Sequence, residues 1–172
     1  MTFLRSTAVS SIFGYFLDVG DRHMGNILLN VKSGKCVHID FECIFGRARH
    51  LPVPERVPFR LTRNICDALS AINDFDAFRT TCGAVLRNHR AVLRCHVDMF
   101  VRTDASLAPN VVAILQALDK RLAGATMAEN ADVTKSSEDI ARDVESQVES
   151  LVDDAMSIDN LMRMYLGWSA PF

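Results

Sequence analysis

Apolar residues recur at three- and four-residue spacing along most of this chain and alternate with polar ones only briefly. Val9, Ile12, Phe13, Phe16 and Leu17 fall at helical intervals, which predicts an amphipathic helix over roughly residues 6–18. Gly20 is expected to stop it, and the polar run Asp21–Asn26 to form a loop. Two short β-prone runs follow, Ile27–Val31 and Lys35–Ile39. The turn Lys32-Ser33-Gly34 between them predicts a hairpin. Residues 41–62 hold Pro52, Pro54 and Pro58, which disfavour helix at and before themselves. An irregular segment of that length in a compact domain is usually functional.

Beyond Thr62 the helical period returns, over Ile65–Ile72, Phe75 to about Val101, and Leu107 to about Ala123. Gly124–Ser137 reads as a polar surface connection. Ser136 with Asp139 has the spacing of a capping pair for the next helix. That helix carries one apolar stripe: Ile140, Val144, Val148, Leu151 and Val152. A last apolar segment, Leu161–Leu166, ends at Gly167-Trp168. The fold class expected is therefore α+β, mainly α-helical, with a single small hairpin.

Composition narrows this picture only a little. With 172 residues and 49% hydrophobic content, the chain has enough apolar surface for a core. Its net charge of −2 points to neither a nucleic-acid nor a membrane-surface binder. The average hides a gradient: residues 1–63 hold nine Lys/Arg against five Asp/Glu, residues 128–160 two against ten. A basic front suits phosphate chemistry, and an acidic rear suits a solvated helix or a partner surface. Five widely spaced cysteines without a C-x-x-C pair argue for a reducing compartment, against a disulfide framework or zinc site. No run of about 18 apolar residues occurs, and the first residues make a poor signal peptide.

The candidate chemistry lies in Gly20-Asp21-Arg22-His23-Met24-Gly25-Asn26 and His38-Ile39-Asp40-Phe41. Phosphoryl transfer needs one carboxylate near the attacking hydroxyl, and an amide and a second carboxylate to hold Mg²⁺. Protein kinases place these groups as H-R-D-x-x-x-x-N followed by D-F-G. Asp21 and Asn26 have that spacing, and a hairpin brings Asn26 and Asp40, at its two open ends, close enough to share an ion. Taken alone, Asp21 would read as a turn cap; Asn26 and Asp40 reverse that reading. His23 is a candidate hydrogen-bond donor to the γ-phosphate oxygens. Arg22 is a candidate for the same site or a brace against the segment after Asp40. His38 lies between Val37 and Ile39 on a strand and reads as structural.

These motifs resemble the phosphoinositide-kinase superfamily. The segment Leu51-Pro52-Val53-Pro54-Glu55-Arg56-Val57-Pro58-Phe59-Arg60-Leu61-Thr62 is similar to the activation segment of its protein-kinase branch, the phosphoinositide-kinase-related protein kinases (PIKK). Lipid kinases usually place a lysine-rich patch there, and this segment has no Lys. Independently, residues 159–172 resemble the FATC tail that ends PIKK chains. Met164-Tyr165-Leu166-Gly167-Trp168 and Asp40-Phe41-Glu42-Cys43 are most similar to the ATR-like members. In these the Gly of D-F-G is replaced by a polar residue, here Glu42. Losing that glycine is expected to restrict the backbone after Asp40.

The resemblance implies a protein-kinase-like C-terminal lobe over 1–124, with catalytic loop 20–26 and activation segment 40–62. A linker at 125–139 and an FATC region at 140–172, packed beneath the activation segment, would follow. It implies ATP as substrate, Mg²⁺ (or Mn²⁺) held by Asn26 and Asp40, and Asp21, Arg22 and His23 as catalytic-loop residues. It also implies Ser/Thr-Gln protein substrates, regulatory or targeting partner proteins, DNA-damage checkpoint signalling and a nuclear location, with no direct nucleic-acid binding by this part. All four lysines (Lys32, Lys35, Lys120, Lys135) follow the catalytic loop, so none can serve as the nucleotide lysine of an N-terminal lobe. The chain is accordingly expected to be the C-terminal part of a longer kinase and weakly active by itself. A non-catalytic interaction fragment and a lipid kinase are the alternatives.

Overall fold

The computed structural model describes residues 2–71, 75–124 and 144–168. The expected 125–139 linker, the Ser136–Asp139 cap, Ile140 and the tail end 169–172 lie outside those residues. Helix α1 (Thr2–Leu17) is the centre of the fold. It buries Leu4, Ala8, Ile12 and Tyr15 together with Thr7 and Ser11, while Val9 is 46% exposed. The expected stripe starting at Val9 is thus rotated. The helix is enclosed on more than one side, so small residues as well as large ones are buried.

Its end also differs from expectation. The chain turns at Asp18, left-handed at φ 51°, and the Val19 N–H donates to the Gly14 carbonyl at 2.8 Å. This is a Schellman closure, which satisfies a carbonyl that the helix end leaves without a partner. Gly20 lies beyond it and has another task. A Cβ there would sit 2.0 Å from the Ala48 Cβ, so only glycine lets these two strands of chain touch.

Strands β1 (Ile27–Leu29) and β2 (Cys36–His38) pair antiparallel. Ile27 lies opposite His38 and Leu29 opposite Cys36. The turn is built on Asn30, whose Oδ1 accepts from the Lys32 and Ser33 N–H groups at 3.0 Å each, with Gly34 left-handed at φ 70°. One further bond, Ile39 N–H to the Asn26 carbonyl at 3.0 Å, extends the ladder and brings Asn26 and Asp40 to its open end. Residues 41–62 contain only a 3-10 turn, Arg47–His50.

Helices α2 (Arg63–Ala71), α3 (Phe75–Thr103), α4 (Val111–Leu122), α5 (Val144–Met156) and α6 (Ile158–Met162) complete the fold. The main core joins α1 to Phe59 and Leu61 of the irregular segment, Phe78 and Leu86 of α3, and Val148, Leu151 and Val152 of α5. A second cluster joins Phe16 to Val97, Val101, Leu115 and Leu118. Tyr15 Oη and Gln147 Nε2 both donate to the Arg121 carbonyl, at 3.1 and 2.7 Å, so α1 and α5 together cap the end of α4. Among the described residues no helix is long and apolar enough to cross a membrane.

Candidate active site

The polar loop after α1 is held by its own side chains and by one distant residue. Asp21 is left-handed at φ 58°. Its carbonyl accepts from Asn26 Nδ2 at 2.8 Å, and its N–H donates to Glu55 Oε1 at 2.8 Å. The carboxylate itself remains half exposed, at 50%. His23 Nδ1 accepts from the Gly25 N–H at 3.0 Å, so in the neutral ring Nε2 carries the proton. That Nε2 lies 4.0 Å from Asp21 Oδ1. Gly25 is needed there, because a Cβ would meet the His23 ring at 2.9 Å. The structure therefore turns one donor, His23 Nε2–H, and one acceptor, the Asp21 carboxylate, toward the same opening.

Asp40, like Asp18 and Asp21, is left-handed, at φ 57°, and its Oδ1 accepts from the Glu42 N–H at 3.3 Å. Glu42 itself is not left-handed: the positive φ angles nearby fall on Asp40, Phe45 and Gly46. The expected restriction at Glu42 is absent, because the bend that would need glycine is made at other positions. Arg22 is buried, at 3% exposure. Its guanidinium donates to the carbonyls of Gly20 (2.9 Å), Ile39 (2.7 Å) and Asp40, and lies 5.6 Å from the Phe41 ring centroid. It faces the backbone and ties the two aspartate-bearing segments to each other. Burial, with a smaller push from Arg22, holds the His38 imidazole down at about 4, so it is neutral at pH 7.

The irregular segment supplies groups that sequence reasoning did not single out. Glu55 is half-buried between the loop and the tail, and desolvation pushes its carboxyl up to about 7, against the Asp21 N–H bond that lowers it. Arg60 donates to the carbonyls of Arg22 (3.2 Å) and Trp168, with its guanidinium 4.7 Å from the Trp168 ring centroid. The Arg56 N–H lies 3.2 Å from Met164 Sδ. The tail thus packs on the irregular segment. Trp168 is buried at 3%, whereas Tyr165 is 66% exposed, so of these two aromatics only Trp168 is covered. A cavity of about 390 Å³ is lined by Asp21, His23, Leu51, Val53, Glu55, Tyr165 and Trp168. No local signal marks Glu55 or Arg60, since each gains its partners from chain that is distant in sequence.

The donor set suits a hard divalent cation shared with phosphate groups. Asn26 is buried at 7%; its amide nitrogen is engaged by Asp21, leaving Oδ1 for a cation. No group of three or more His, Cys, Asp or Glu capable of holding a metal occurs among the described residues.

Comparison with known proteins gives matches over two parts of the chain. Residues 1–108 match the family model "Phosphatidylinositol 3- and 4-kinase", and residues 141–171 match "FATC domain". The chain is 34% identical over 96% of its length to a serine/threonine-protein kinase MEC1 of Kluyveromyces lactis. It is 36% identical over 98% to a serine/threonine-protein kinase ATR of Drosophila melanogaster. Each of these relatives is covered over only 7% of its own length. Among solved structures, the FAT and kinase domain of CtTel1 superposes with a TM-score of 0.77 at 32% identity, covering 98% of this chain and 12% of that one.

Proposed function

Because the chain belongs to the phosphatidylinositol 3- and 4-kinase family, in its FATC-bearing protein-kinase (PIKK) branch, we propose that it is the C-terminal catalytic lobe of an ATR-like serine/threonine protein kinase. Residues 1–124 form the lobe, 125–139 the linker and 140–172 the FATC region. The observation that carries this reading is the meeting of Asp21, Asn26 and Asp40 at one end of the hairpin, with Arg22 bonded to the backbone on both sides. The roles follow from those positions. Asp21 accepts or orients the proton of the attacking hydroxyl. His23 Nε2–H donates to the transferring phosphate as its charge spreads. Asn26 Oδ1 and the Asp40 carboxylate hold Mg²⁺ (or Mn²⁺) carried in with ATP; when bound, the ion neutralises phosphate charge. Arg22 is a brace that fixes the spacing of the two aspartates.

The similarity to MEC1 and ATR kinases supports protein rather than lipid substrates, and the Lys-free segment 40–62 supports the same choice. The ATR-like resemblance further favours Ser or Thr followed by Gln, with the peptide held along residues 41–62. It also favours a checkpoint role in the nucleus, with targeting partners. The test uses a full-length kinase carrying this sequence. Asp21→Ala and Asp40→Ala are each expected to lower phosphorylation of a Ser-Gln peptide by about 10²–10⁴-fold while leaving the lobe folded. Near-normal turnover in either variant refutes the assignment. Thin-layer analysis showing phosphoinositide rather than peptide as the product would move the reading to a lipid kinase.

A further inference from the structure

Glu55 sits where a carboxyl group is costly. It lies between the catalytic loop and the tail, and burial alone would favour its neutral form. Arg22 and Arg60 are close enough to influence it. Yet their N–H groups go to backbone carbonyls of Gly20, Ile39, Asp40, Arg22 and Trp168. The Trp168 indole N–H is buried without a full hydrogen bond of its own and faces the same carboxyl. The other titratable groups that bear on Glu55 are Asp21 and, more weakly, Cys43. His23 and Tyr165 share its cavity. An apolar side chain would fill this place at lower cost, and buried acids kept in a cleft are a mark of functional sites.

What Glu55 does for the loop can be read from one bond. Asp21 is not glycine, and the left-handed conformation it adopts at φ 58° is unfavourable for it unless its surroundings fix it. The Asp21 N–H would also be left without a protein acceptor if Glu55 were absent. Glu55 is itself anchored, its N–H donating to the Ala48 carbonyl at 3.2 Å. Glycine at position 20 leaves room for the carboxyl, since a Cβ there would stand 3.0 Å from Glu55 Oε2. We propose that Glu55 is a positioning residue for phosphoryl transfer: by accepting the Asp21 N–H it holds that residue in its left-handed conformation and so aims the carboxylate into the cavity. This rests on the reading of Asp21 as the catalytic base.

The test compares Glu55→Ala and Glu55→Gln with Asp21→Asn in a full-length kinase carrying this sequence. Glutamine keeps an acceptor oxygen in place and alanine does not. Glu55→Ala is expected to lower kcat by about 30–100-fold, the scale of a misplaced catalytic group, with the KM values for ATP and peptide unchanged. Glu55→Gln is expected to stay within about 3-fold of the parent, since the acceptor is retained. Resistance of the tail to limited proteolysis is the signal that each variant keeps the tail docked. If Glu55→Ala loses that signal, the glutamine variant alone decides. Unchanged kcat in a docked Glu55→Ala, or a Glu55→Gln variant that loses kcat like alanine, overturns the proposal. Normal turnover in Asp21→Asn overturns the underlying reading instead, so the two failures are told apart.

Discussion

The left-handed backbone of the two site aspartates, Asp21 and Asp40, carries a conformational cost that the surrounding hydrogen bonds must offset, of order 1–3 kcal/mol each. Gly20 is the position on which that arrangement depends most directly. Gly20→Ala would drive a Cβ into Ala48, and overpacking of this kind typically costs about 1–3 kcal/mol. The expected result is a lower urea midpoint for the variant chain. Glu55 gives a pH-dependent counterpart. Its folded pKa of about 7 stands above the ordinary value of 4.5, so the folded state holds the proton more tightly. Its contribution to stability is present below pH 4.5 and is lost as pH rises through 7. Glu55→Gln is therefore expected to be more stable than the parent at pH 8, by ~1–2 kcal/mol after allowance for partial exposure. The difference should vanish below pH 4.5, and denaturant titrations at both pH values measure it. Of these residues, Asp21, Asn26 and Asp40 were legible because their spacing is local. Glu55 was not, since its partner Asp21 is 34 residues away.

At the scale of elements, helix positions were easier to read than helix faces. Periodicity marked α1, yet the side it buries follows from what surrounds it. Ile12 is 1% exposed and Val9 46%. Ile12→Ala is expected to cost about 2–5 kcal/mol, as deletions in packed cores do. Val9→Ala should cost under about 1 kcal/mol, as surface changes usually do. Equal losses in chemical denaturation would contradict the packing described. The hairpin was legible from its turn and β-prone flanks, and its register follows from them. The irregular segment was legible only as irregular. Its contacts with the tail come from Arg56 and Arg60. Arg60→Ala should loosen that docking, with a red shift in Trp168 emission as the readout; an unshifted spectrum would show that the tail is held without it.

At the scale of the whole molecule, the chain spans about 7% of the length of the curated relatives it matches. The groups expected to cover and pair with ATP phosphates do not occur upstream of Asp21 in this sequence. The purified 172-residue chain is accordingly expected to show no robust Mg²⁺-dependent phosphorylation of a Ser-Gln peptide. Turnover approaching that of a full-length kinase would sink this prediction. The sequence by itself determined the order of helices, the hairpin, the loop motif and the proline-bearing segment, because each depends on spacing within a few residues. Only the tertiary structure decided which face of α1 is buried and that Arg22 points inward. It also decided that Glu55 and Arg60 join the loop after α1 to Trp168. Those outcomes depend on contacts between residues more than 100 positions apart, 132 for Tyr15 and Gln147, and no local pattern encodes which distant backbone groups will need a partner.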